Sequence, residues 1–69
     1  DRGVTATMLI DAIRAGSYRL RSVGSGAPWL ERRTRIGWVR ARAASHVIRA
    51  AADAIQPHID GGIKTWSNT

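Results

Sequence analysis

From Trp29 to Ile55 the chain reads WLERRTRIGWVRARAASHVIRAAADAI, and its apolar positions recur at steps of three and four. Ile36, Val39, Ala43, Val47, Ala50 and Ala54 form one apolar stripe on a helical projection, and Trp38, Ala41, Ile48, Ala51 and Ile55 form a second beside it. Arg35, Arg42 and Arg49 repeat every seven residues on the remaining face, near Glu31, Ser45 and Asp53. This spacing predicts one long helix with a broad apolar surface and a narrow cationic ridge. Pro28 suits its first turn, and Gln56-Pro57 would close it, because the residue before a proline is pushed out of the helical region. Gly37 is the weak interior point, costing roughly 1 kcal/mol against alanine, and marks a kink or a close helix crossing.

Shorter elements are predicted on either side. Thr5-Ala6-Thr7 supplies a candidate N-cap for a first helix of roughly Thr5 to Ala15, with Met8, Leu9, Ala12 and Ile13 on its apolar face and Ala15-Gly16 as its stop. In Ser17 to Val23, Tyr18, Leu20 and Ser22 alternate with Arg19, Arg21 and Val23 as in a strand. A lone strand has nothing to pair with, so a short helix is predicted there. Gly24 to Pro28 is a loop, Pro57 to Gly62 a turn, and Ile63 to Trp66 one further turn before a frayed Ser67-Asn68-Thr69. The expected architecture is all-α: a single small domain spanning residues 1–69, a compact bundle of three to five short helices around the long cationic one.

Composition sharpens this picture. Sixty-nine residues without cysteine or phenylalanine allow a modest core and no disulfide staple, so the chain is expected to gain stability from something it binds. The net charge of +6, carried mainly by arginine, calls for an anionic partner with phosphate-like geometry. No apolar run reaches the ~18 to 20 residues of a spanning helix. A chain that begins at Asp1 rather than methionine is expected to be a processed product or a fragment.

Catalytic chemistry is not expected. Asp1, Asp11, Glu31, Asp53 and Asp60 are scattered, with no pair at a spacing that brings two carboxylates together on one helix face. His58 and Asp60 on a turn make a poor metal site, and His46 stands alone. Gly24-Ser25-Gly26 lacks the lysine and the preceding strand of a phosphate loop. The chain is therefore read as a non-enzyme with neither cofactor nor metal. What remains is the arginine–tryptophan pattern. Arg32, Arg33, Arg35, Arg40, Arg42 and Arg49 are the candidate residues for binding an anionic surface, and Trp29, Trp38, Ile36, Val39 and Ile48 the candidates for a membrane interface. An arginine at the bilayer centre costs about 2.5 to 3.5 kcal/mol, which forbids spanning and leaves the helix lying in the interface. The plainer reading makes Trp38 the largest residue of an alanine-rich core.

Thr5-Ala6-Thr7-Met8-Leu9-Ile10-Asp11-Ala12-Ile13-Arg14-Ala15-Gly16 resembles the opening helix of circular bacteriocins of the carnocyclin and uberolysin kind. In that family a Thr-Ala pair leads into paired aliphatics and an isoleucine and closes on a glycine; here these fall on Thr5, Ala6, Leu9, Ile10, Ile13 and Gly16. The resemblance implies a compact bundle of short helices, ligated head to tail, that permeabilises bacterial membranes. The family's middle is more apolar than the arginine-rich stretch here, and its joined ends are usually apolar, where this chain would join Asp1 to Thr69. Pro57 to Lys64, PHIDGGIK, following an alanine-rich helix, resembles a segment of phage neck and tail-completion proteins, which implies a β-rich remainder that an all-α chain does not supply. The expected function is a secreted, cationic, bacteriocin-like antimicrobial that acts at the target-cell membrane by binding and permeabilising anionic lipid. The alternative is a basic nucleic-acid-binding or structural subunit of a larger assembly, such as a phage or other multiprotein particle, facing nucleic acid or acidic protein surfaces.

Overall fold

The computed structural model describes residues 3–68. Helix α1 (Ala6–Arg14) is followed by three strands, β1 (Tyr18–Ser22), β2 (Trp29–Thr34) and β3 (Gly37–Ala41). Helix α2 (Ser45–Ala54) and the strands β4 (Gln56–Asp60) and β5 (Ile63–Ser67) complete the chain. The strands form one antiparallel sheet in the order β3-β2-β1-β5-β4. The architecture is α+β, and the predicted all-α helical bundle is overturned.

The first helix forms as its sequence dictates. The Thr5 hydroxyl accepts from the Met8 backbone N–H, satisfying one of the orphan donors of the first turn, and Gly16 takes a positive φ of 88° just past the end. Leu9 is its buried contact with the core.

The long helix from Trp29 to Ile55 is not there. Its first half is the β2–β3 hairpin and only Ser45–Ala54 is helical. The chain reverses at Thr34-Arg35-Ile36-Gly37. The Ile36 backbone N–H donates to the Thr34 hydroxyl, which in turn donates to the Gly37 carbonyl at 2.8 Å, so one threonine ties the turn at both ends. Gly37 has φ 142°, far from the helical region and costly for any residue with a Cβ. It is a turn residue, not a helix crossing. Arg35 lies in that turn, Arg42 in the segment after β3 and Arg49 on α2, so the seven-residue arginine repeat makes no ridge.

Two further predictions are corrected the same way. Ser17 to Val23 is a strand rather than a short helix, because β1 pairs with β2 on one side and β5 on the other. Ile63 to Trp66 lies in β5, joined to β4 by Gly61-Gly62, both at positive φ, the conformation that a two-residue hairpin turn with the sheet's own twist requires.

Register fixes the faces. Leu20 stands between Leu30 and Trp66, Leu30 between Leu20 and Ala41, and this row meets Leu9 of α1 and Val47, Ala51, Ala52 and Ile55 of the α2 segment. Leu20 and Ala51 are fully buried. The small alanines let α2 lie close against α1 while both helices cover the same face of the sheet. The opposite face carries no helix. The structure places no element beyond β3 or β4, so both sheet edges are open among the described residues.

Candidate anion-binding sheet face

On the uncovered face, β1 presents Arg19 and Arg21, β2 presents Trp29, Glu31 and Arg33, and β3 presents Trp38 and Arg40. Alternation along each strand sets this pattern, since Leu20 and Leu30 are held in the core between them. Glu31 sits in the middle. Arg19 Nε donates to its Oε1 at 2.8 Å, the Trp29 indole N–H donates to Oε2 at 2.9 Å, and Arg21 lies 3.8 Å away. The Arg19 guanidinium also stacks 4.2 Å from the centre of the Trp38 ring, and that of Arg40 lies 5.0 Å from Trp29. The face is thus a lattice of cations and indoles pinned by one carboxylate.

Glu31 responds to that setting. Burial works to raise its pKa, but the hydrogen bonds from Trp29 and Arg19 and the charges of Arg19 and Arg21 outweigh it, and the carboxyl is held below its ordinary value of 4.5. It remains a carboxylate across the neutral range.

The sequence-derived candidates do not share one surface. Arg33 and Arg40 lie on this open face, while Arg32 points to the helix-covered side opposite Val39. Arg35 and Ile36 form the tip of the β2–β3 hairpin, Arg42 follows β3, and Arg49 is on α2, set apart from the rest. Trp29 and Trp38 are half-buried beneath arginines, Ile48 packs against the core, and Ile36 is 97% exposed. What the structure does bring together is Arg32, Arg33, Arg35, Arg40 and Arg42, all exposed, on or beside one hairpin. The helical reading missed Arg19, Arg21 and Glu31 as partners of this group. The period-two alternation across Ser17 to Val23 was the signal that could have found the two arginines.

On this same face Thr65 stands opposite Arg21, and His58 Nε2 lies 2.7 Å from the Thr65 hydroxyl across the β4–β5 pair; no group of three metal-ligating side chains occurs among the described residues. What the face can do is offer planar, bidentate guanidinium donors to an anion.

Comparison with protein-family models, with curated proteins and with solved structures finds no match to this chain. Fold and site therefore define a class rather than a family. It is a small α+β domain with both helices on one face of an antiparallel sheet and an arginine–tryptophan lattice on the other.

Proposed function

We propose that this chain is a structural subunit of a larger multiprotein particle, joined to further copies of itself by strand addition at its open sheet edges. The observation that carries the reading is the pair of edges, β3 and β4, at opposite ends of the sheet and neither covered by any described element. An uncovered edge presents a row of backbone donors and acceptors ready to pair with another strand. The two edges differ in charge: Arg40 lies on β3, with Arg35 and Arg42 just outside it, whereas β4 carries Asp60 and no lysine or arginine. Opposite charge on opposite edges favours head-to-tail joining, which closes into rings or extends into filaments. Pro57 cannot donate to a new ladder, which leaves the Ile59 N–H as the outward-facing donor of β4.

Two other observations support a partner-stabilised chain. The buried apolar core is small, and Val4, Met8, Val23, Ile36, Val39 and Ile59 remain exposed. The PHIDGGIK segment, whose resemblance to phage neck and tail-completion proteins implied a β-rich remainder, forms the β4–β5 hairpin of a five-stranded sheet behind an alanine-rich helix. The competing proposal, permeabilisation of anionic membranes, rested on one helix presenting tryptophans and arginines together. In this fold it falls to the hairpin tip.

Sedimentation velocity from micromolar to millimolar concentration tests the reading. Reversible association is expected, weakened by Asp60→Lys, an exposed change that reverses the charge of the β4 edge. A chain that stays monomeric over the whole range contradicts it.

A further inference from the structure

We propose that the β2–β3 hairpin is an arm for duplex DNA, holding phosphates with Arg32, Arg33, Arg35, Arg40 and Arg42 and reaching into a groove with Ile36. All five arginines are exposed, and among the described residues none has a carboxylate within ion-pair distance. The one carboxylate of the hairpin, Glu31, is taken by Arg19 and Arg21. Five unneutralised guanidinium groups within eleven residues of sequence are therefore open to an outside anion.

Their placement suits a duplex better than a flat surface. Arg32 and Val39 share the face of Leu30 and Ala41 yet are exposed, so the helical layer stops short of them; β1 flanks β2 as far as Arg33, whose backbone N–H donates to the Ser17 carbonyl, and the Thr34–Gly37 turn projects beyond it. Arginines lie on both faces at the base of the projecting turn, Arg32 on one and Arg33 and Arg40 on the other, so they can meet phosphates on both sides of a groove that the turn enters. The projecting turn of two strands fits the B-form major groove, about 12 Å wide, whereas the A-form major groove is too narrow to admit it. Ile36, at the very tip, supplies an apolar contact of the kind a thymine methyl offers in that groove. A lipid surface would also attract the arginines, but it needs apolar groups gathered on one side. Here Trp29 and Trp38 lie under arginines, Val39 faces the opposite way and Ile48 is against the core, leaving Ile36 alone.

Strand addition at β3 would set a further strand beside the hairpin, so DNA is met by a copy whose β3 edge is free, as it is in the monomer.

The test is the salt dependence of binding of the full chain to a short mixed-sequence DNA duplex, read by fluorescence anisotropy at protein concentrations where sedimentation shows a monomer. Log K is expected to fall against log salt with a slope of about −4.5, about 0.9 for each of the five phosphates neutralised. The double variant Arg33→Ser/Arg35→Ser should reduce that slope by about 1.8. Ile36→Ser should weaken binding several-fold with the slope unchanged, and Arg49→Ser, on the distant helix, should alter neither. Thermal melts confirm that each variant is folded. The proposal is overturned if Arg49→Ser lowers the slope as much as a hairpin arginine does, since that is diffuse net charge. It is also overturned if phosphatidylglycerol vesicles bind the chain more tightly than the duplex at the same salt. Because edge pairing is read by sedimentation and the arm by salt slope, either reading can fail alone.

Discussion

The two faces of the sheet are built from the same strands by different forces. Beneath the helices, Leu20, Leu30, Ala41 and Trp66 meet Leu9, Val47 and Ala51, and the contact is apolar, dry and indifferent to salt and pH. On the other face the same strands hold together Arg19, Arg21, Arg40, Trp29 and Trp38 around Glu31, a contact made of stacked guanidinium groups and one shared carboxylate. One face sets the fold. The other is a lattice of cations and indoles whose order depends on the ionisation of a single residue.

The largest effect should come from the covered face. Leu20→Ala empties a fully buried site between Leu30 and Trp66 and should cost about 2 to 5 kcal/mol in urea unfolding, enough to unfold much of so small a domain. A loss below 1 kcal/mol would mean that the row is not the core it is taken to be.

A smaller, pH-dependent effect belongs to the open face. Because the folded Glu31 carboxyl titrates below its ordinary value of 4.5, its stabilising contribution is complete above that pH and is lost as pH falls through the lower folded value. Glu31→Gln should cost about 1 to 2 kcal/mol at neutral pH, and the difference from the unaltered chain should shrink in acid. A deficit that does not shrink as pH falls below the ordinary value of 4.5 would mean that shape rather than charge holds the lattice.

This division of labour also explains what the sequence could and could not tell. The first helix was legible because Thr5 and Gly16 are local devices whose effect does not wait for tertiary structure. The hairpin was not. Trp29 and Trp38 count as apolar on any scale, yet they sit on the solvent face under arginines, while Arg32 occupies the face of Leu30 and Ile36 and Val39 are exposed. Those inversions blur the period of two and leave the steps of three and four as the stronger signal. The turn at Asp60-Gly61-Gly62 was legible, but the strands it joins were not, since β4 is exposed at every residue and contains Pro57. The candidate arginines were found by composition. Their grouping on one hairpin depends on pairing across the sheet, which no single segment encodes.

The central claim, that the open edges β3 and β4 are joints, is most directly tested by amide hydrogen exchange at increasing protein concentration. The account predicts that the outward-facing amides of Trp38, Arg40 and Ile59 gain protection as concentration rises, while those of Tyr18 to Ser22, in a strand already paired on both sides, do not change. Edge amides that exchange at the same rate at every concentration would contradict it.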